Sequence, residues 1–444
     1  MTKLDHLDRR IVALAVPAMG AIAAEPLYNL ADTAIVGHLG RVPLDALAIA
    51  ATALSMAAWL AVFLTTATTS AVARLVVRGD TAGAGRVAGA AYLAGAAGGA
   101  AVAVLLVAAA PLIGWLLGAR GVVLADATSY LRISAAGLPF LYFSYAGNGH
   151  LTGLADTRTP LWIAVSANVA NVALEIGLVF GAGWGLDGSA WGTVLAQAAS
   201  AMLYAAAALY GARLRGGSAS RDVRVPPRRP GRTEITGLLR DGHRLSVRTI
   251  ALGVVPMAVT AIAARLGPVD LAGQQIAMRI WYLLSLLLDS LAVPGQVLVS
   301  SSLGAGQRDE ARYVGQRTLR FGLIAGTALG MITLGLAFAA PGWFTHDGGV
   351  AHAATVALAV SALTQPLAAL AFVLDGLILG LSDYVAMRRA MIVAAVAFAP
   401  AGALVLRYHW LGLPGVWAAL GIWLTARSVL LGRRWRAEMA HFFV

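Results

Sequence analysis

Twelve apolar stretches, each about as long as a bilayer-crossing helix requires, run almost end to end through this chain. They cover residues 11–39, 45–75, 84–115, 122–152, 159–183 and 188–212. After a polar interval they resume at 243–265, 270–302, 313–341, 351–380, 385–407 and 414–432. Runs of this length are helices rather than strands. The pattern predicts an all-α integral membrane protein with twelve transmembrane helices.

The polar interval, 213–240, is basic and rich in Gly, Ser and Pro. It reads as a cytoplasmic linker between an N-terminal lobe, 1–212, and a C-terminal lobe, 241–444. Contact with anionic lipid is its functional alternative. The halves repeat at a constant offset of 227 residues. HLGRVPLDALAIA (38–50) lies over RLGPVDLAGQQIA (265–277), and GHLTGLAD (149–156) over GLILGLSD (376–383). GLDG (185–188) lies over GLPG (412–415). Six spans per half leave both halves in the same orientation. The expectation is two six-helix bundles related by a pseudo-two-fold axis along the membrane normal.

Charge changes this picture in one respect: it orients the chain. The net charge is +12, and the basic residues sit in alternate connections. Lys3, Arg9 and Arg10 precede the first span, and Arg74, Arg78 and Arg86 surround the second connection. Arg158, the Arg308–Arg320 cluster, Arg388 with Arg389, and Arg433 with Arg434 follow even-numbered spans. GAGWGLDG and PGWFTHDGGVAH, on the other side, carry no Lys or Arg. Basic loops stay cytoplasmic. The chain is therefore expected to be multi-pass in the cell (cytoplasmic) membrane with both termini in the cytoplasm. Topology accounts for the basic excess, so no nucleic-acid partner is called for. The apolar run after MTKLDHLDRR is too long for a signal-peptide core, and the first helix is expected to be retained.

Only 12% of residues are charged, against about 25% in soluble domains. There is no cysteine, which excludes disulfides, thiol nucleophiles and cysteine metal sites. Ionisable groups at membrane depth then stand out, because they are costly there and face protein-lined cavities. In the first span, Glu25, Tyr28, Asn29 and Asp32 fall on one helix face, beside Pro26, which removes a backbone hydrogen bond and favours a kink. In the fifth, Asn168, Asn171 and Glu175 share a face, and Asn168 serves equally well as a packing hydrogen bond. Asn148 in the fourth span and Thr193 in the sixth could complete a pocket with Asp32, although either alone reads as structural. The eighth span carries Arg279 and Asp289, and the tenth carries Gln365 and Asp375. Arg279 reads as a structural ion-pair partner. Asp375 is either a second cation or substrate site or part of a polar network.

These residues resemble the multidrug and toxic compound extrusion (MATE) family, in particular its DinF-type branch. The resemblance is carried by EPLYNLADTAIVGHLG, GLADTRTP, NVANVALEIGLVFGAGWGLDGSAWGT and VLDGLILGLSDYVAMRRAMIV, and it extends over nearly the whole chain. It implies a monomeric secondary antiporter in membrane lipid that exports amphipathic or cationic organic compounds by alternating access. It implies no cofactor and no enzymatic reaction, and a coupling ion that is a proton or, alternatively, sodium. The implied N-lobe site is Asp32, Asn148, Asn171, Glu175 and Thr193, with Asp32, Asn171 and Glu175 as the set that sodium would use. Where relatives often have Asp, this chain has Glu175. Asp375 resembles an Asp that other branches use in a C-lobe cation site. The acidic companion usual for that site is missing from LSVRTIALGVVPMAVTAIAARL.

Two other readings compete. A lipid-linked precursor flippase of the same superfamily would favour a strongly cationic cavity and extra helices. An intramembrane enzyme would need a nucleophile–base pair or a His cluster at membrane depth, and the sequence offers neither. No phosphate-binding loop motif suggests ATP as the energy source.

Overall fold

Among the described residues, each apolar stretch lies almost wholly in helix, the one open-ended backbone state that satisfies its own hydrogen bonds inside lipid. A computed structural model describes residues 3–210 and 225–440, apart from the side chains of residues 3–5, 25–27 and 30. In chain order the helices are α1 (Lys3–Gly37), α2 (Arg41–Val77), α3 (Thr81–Leu116), α4 (Gly121–Ala135) and α5 (Leu138–Gly153). There follow α6 (Arg158–Ile176), α7 (Gly185–Tyr210), α8 (Arg232–Leu266), α9 (Pro268–Asp289) and α10 (Ala292–Gly304). The last are α11 (Arg308–Ala339), α12 (Pro341–Phe344), α13 (Gly348–Leu381), α14 (Tyr384–Arg407) and α15 (Gly412–Ala440).

Ten helical segments, α9 and α10 counted together, are long and apolar enough to cross a membrane. The 35-residue α1 and the α4–α5 pair complete the twelve spans of the sequence reading. The fourth span breaks at 136–137, next to Pro139, and the eighth at 290–291, ahead of Pro294. The chain forms two compact units. One is residues 20–242; the other is residues 1–19 with 243–444. Helices α1 and α8 thus each contribute to both.

The segment expected to link the halves falls partly outside the described residues, at 211–224. In the described remainder, Val225 packs against Val72 and Ala84. Arg228 donates its N–H to the Gly85 carbonyl (2.8 Å). Helix α8 begins at Arg232, ahead of the apolar stretch, because Glu234 caps it by accepting from the Gly231 N–H (2.9 Å). The same carboxylate pairs with Arg86 of α3 (2.9 Å). Asp8, near the start of α1, makes the corresponding ion pair with Arg317 of α11, through two bonds of 2.7 and 2.6 Å.

The internal repeat is physical as well as textual. A Cβ on Gly149 would lie 2.5 Å from the Thr65 carbonyl oxygen, and one on Gly376 would collide with the Ala292 carbonyl. Gly153 and Gly380 meet Val72 and Val299 in the same way, at 2.8 and 2.9 Å. Gly95 and Gly99 of α3 approach the Tyr142 and Leu138 carbonyls; on α11 Gly326 approaches the Gln365 carbonyl, and Gly322 lies against Val373 (2.7 Å) with the Ala369 carbonyl at 3.7 Å. Each pair of glycines, and each pair of partners, is separated by the same 227 positions. Helix caps repeat too: Asp156 accepts from the Thr159 N–H and Asp383 from the Ala386 N–H, both at 3.0 Å. Small residues let membrane helices approach backbone to backbone, and this closeness fixes which helices pair.

Substituting Gly376→Val should therefore force α10 and α13 apart. Overpacking of this kind costs about 1–3 kcal/mol. The variant should melt lower in detergent than wild type, while Gly335→Ala, whose added methyl meets nothing within 4 Å, should melt with it.

Candidate functional site

Three helices of the 20–242 unit each offer two polar side chains one turn apart. Tyr28 and Asp32 lie on α1, Asn171 and Glu175 on α6, and Ser189 and Thr193 on α7. A four-residue spacing stacks side chains on one helix face. The three faces meet. Ser189 Oγ donates to Asp32 Oδ1 (2.8 Å). Tyr28 Oη lies 2.9 Å from Thr193 Oγ1 and donates to Glu175 Oε1 at 3.3 Å. Thr193 Oγ1 stands 3.4 Å from the same Glu175 oxygen. The carboxyl groups of Asp32 and Glu175 face each other within hydrogen-bonding range. Asp32 is 7% exposed and Glu175 is fully buried.

Local features of the sequence make this meeting feasible. Gly192 of α7 lies against Glu175, where an added Cβ would come within 2.9 Å of Cγ. Directly after Glu175 the chain widens into one π-helical turn, Gly177–Gly181, closed by the Ala182 N–H on the Gly177 carbonyl (2.8 Å). Turns of this type often accompany functional sites. Gly183 and Gly185 then adopt positive φ, +72° and +55°, and reverse the chain into α7. Glu175 Oε2 and Asn171 Oδ1 are buried and have no partner among the described residues. Chemically, the carboxylate oxygen can carry a proton, whereas the amide oxygen can only accept hydrogen bonds or coordinate a cation.

The remaining N-terminal candidates are placed differently. Asn168 donates to the Ala24 carbonyl (2.8 Å), tying α6 to α1. Asn148 is half-buried and accepts from Thr152 on its own helix (3.1 Å). Glu25 and Pro26 lie outside the described side chains. Sequence reasoning missed Ser189, although it stands one turn before Thr193. It also missed Tyr130 of α4, a buried phenol in hydrogen-bonding range of Ser189 and Thr193.

In the other unit Asp375 is 1% exposed and bonded twice through Oδ2, to Arg248 (3.0 Å) and Arg427 (2.6 Å). Arg427 is buried between the rings of Trp423 and Phe372, 4.7 and 5.5 Å from their centroids. Asp289 lies in electrostatic range of this cluster, with its own side chain exposed. Arg279 is exposed on α9; the partners of Asp375 are Arg248 and Arg427, neither of which had been singled out. Gln365 is buried with both amide atoms unpartnered among the described residues.

Comparison with known proteins agrees with this architecture. The MatE family model matches residues 17–176 and 245–405, one segment in each half. Protein DETOXIFICATION 44, chloroplastic, of Arabidopsis thaliana is 31% identical over 98% of this chain and 82% of its own length. DNA damage-inducible protein F of Escherichia coli (strain K12) is 26% identical over 98% of this chain and 94% of its own. Among solved structures, a crystal structure of MATE in the bent conformation superposes with a TM-score of 0.89 at 22% identity, covering 99% of this chain and 98% of that one. Its counterpart in the straight conformation gives 0.87 at 21%, covering 98% and 96%. A twelve-span helical membrane protein with a family match in both halves and a relative at this identity over almost its whole length belongs to the MatE family.

Proposed function

We propose that this chain is a secondary active efflux transporter of the cytoplasmic membrane. It exports amphipathic or cationic organic compounds by alternating access, in exchange for protons carried by Asp32 and Glu175. The observation that carries the reading is the pair of facing, buried carboxyl groups. A hydrogen bond between two carboxyls needs a proton on one of them, and both cannot be charged side by side away from water without a large cost. Gaining or losing that proton changes the bonds of Ser189, Tyr28 and Thr193, and so acts on α1, α6 and α7 together. A transporter needs its states to differ in substrate affinity, and a network spanning three helices supplies such a difference.

A sodium-coupled exporter is the second reading. It is supported by Glu175 Oε2 and Asn171 Oδ1, two buried oxygens that could join Asp32 around a hard cation. Asp375 is a poor candidate for either ion, since two guanidinium groups already neutralise it. Its role in this proposal is to hold α8, α13 and α15 together.

In proteoliposomes, an imposed pH gradient should drive efflux by wild type and fail to drive it through Asp32→Asn or Glu175→Gln, both of which should still reach the membrane. Normal pH-driven efflux by Asp32→Asn contradicts the proposal, and wild-type efflux that follows sodium alone favours the second reading. Gly192→Ala should lower pH-driven efflux without lowering the amount of folded protein, because its methyl group displaces Glu175; unchanged efflux would count against the carboxyl pair. Topology is testable separately, since the chain has no native cysteine. Gln307→Cys should react with an impermeant maleimide only from the cytoplasmic side and His346→Cys only from outside. The opposite pattern overturns the orientation.

A further inference from the structure

A groove of about 450 Å³ lies at the arginine-rich ends of α14 and α15. Arg389, Arg434 and Asp383 stand at its polar end, and Val385, Val393 and Leu430 form apolar wall. Val385, Arg389 and Val393 recur every four residues, so they make one stripe along α14. Leu430 and Arg434 make the facing stripe on α15. On α14 Arg389 stands between Val385, nearer the helix end, and Val393, one turn deeper; on α15 Leu430 lies one turn deeper than Arg434. Val393 is 51% exposed, so the apolar end is open to the surroundings rather than packed shut.

The helix ends around the groove carry a positive balance, five arginines (Arg388, Arg389, Arg433, Arg434 and Arg436) against Asp383 and Glu438. Asp383 is occupied on both oxygens: Oδ1 accepts from the Ala386 N–H (3.0 Å) and Oδ2 from Arg434 Nε (2.6 Å). Arg434 also reaches Glu438 (3.1 Å). Arg389 is exposed beside this pair, and Arg388, Arg433 and Arg436 flank it in sequence. Arginines that merely orient a membrane protein need no cavity. Here two of them line one that continues into exposed apolar wall, which is the layout of a lipid: an anionic head joined to an acyl chain. Basic pockets between membrane helices bind acidic headgroups by this chemistry, and guanidinium groups bind phosphate oxygens well.

We propose that this groove seats one anionic phospholipid, with its phosphate against Arg389 and Arg434 and an acyl chain along Val393 and Leu430. Bound there, the lipid bridges α14 and α15 beside the Asp383–Arg434 ion pair, which already joins the α13–α14 turn to α15.

The test is native mass spectrometry of the full-length, delipidated protein offered equal amounts of phosphatidylglycerol and phosphatidylcholine. Wild type should retain phosphatidylglycerol about tenfold better, a difference of about 1.4 kcal/mol. Arg389→Gln should lose most of that preference. Val393→Trp fills the apolar wall, leaves both arginines, and should also lower retention of phosphatidylglycerol. Arg265→Gln, an exposed arginine on α8, should behave as wild type. Melting temperature checks folding: phosphatidylglycerol should raise it for wild type and not for Arg389→Gln. Equal retention of the two lipids by wild type overturns the proposal, and so does undiminished retention by both groove variants.

Discussion

Two carboxyl groups facing each other within a membrane protein admit few charge states. One shared proton leaves a single negative charge with hydrogen bonds around it; removing that proton sets two anions against each other where water cannot screen them. Much of the local structure around Asp32 and Glu175 is arranged to meet this constraint. Ser189 supplies a donor to Asp32, and Tyr28 and Thr193 share the near oxygen of Glu175. Gly192 leaves room for the glutamate stem, and the π-helical turn begins two residues beyond it. Asn168 clamps α6 to the Ala24 carbonyl one turn ahead of Tyr28, so α1 is held to α6 just beside Tyr28 and Asp32.

The repeat shows which parts of this arrangement belong to the fold and which to the chemistry. Packing glycines and aspartate caps recur in both halves at the same offset, because every lobe needs its helices close and its helix starts satisfied. The polar site does not recur. At the same offset, Tyr28, Asp32, Asn171, Ser189 and Thr193 are replaced by Val255, Val259, Phe398, Val416 and Leu420, all within one buried apolar cluster. Glu175 is replaced by Gly402. Conversely, Asn148 becomes Asp375, an acid permitted at that depth by Arg248 and Arg427. A facing carboxyl pair is thus built in one lobe, while Asp375 in the other is committed to an ion-pair cluster.

Much of this was legible in the chain. Span number and helical class follow from apolar length, and the repeat from a single constant offset. The stripes on the first and fifth spans could be read because helical spacing puts a carboxylate and its neighbours on one face. Ser189 and Tyr130 were not legible: a hydroxyl in a membrane helix costs little and commonly bonds its own backbone, so sequence alone gives no reason to single it out. Arg248 and Arg427 show the same limit from the other side. Their partner in sequence terms could have been any buried acid, and only the packing of α8 and α15 around α13 selects Asp375. Asn148 fits the linear pattern of a site residue, yet its bond runs to Thr152 on its own helix.

Infrared difference spectroscopy across a pH titration would detect a proton shared by Asp32 and Glu175 without relying on transport. For purified protein, the account predicts a protonated-carboxyl band that disappears as pH rises, is insensitive to sodium at constant pH, and is missing from the variant carrying both Asp32→Asn and Glu175→Gln. A band that persists unchanged in that double variant, or one that sodium displaces at constant pH, would contradict it.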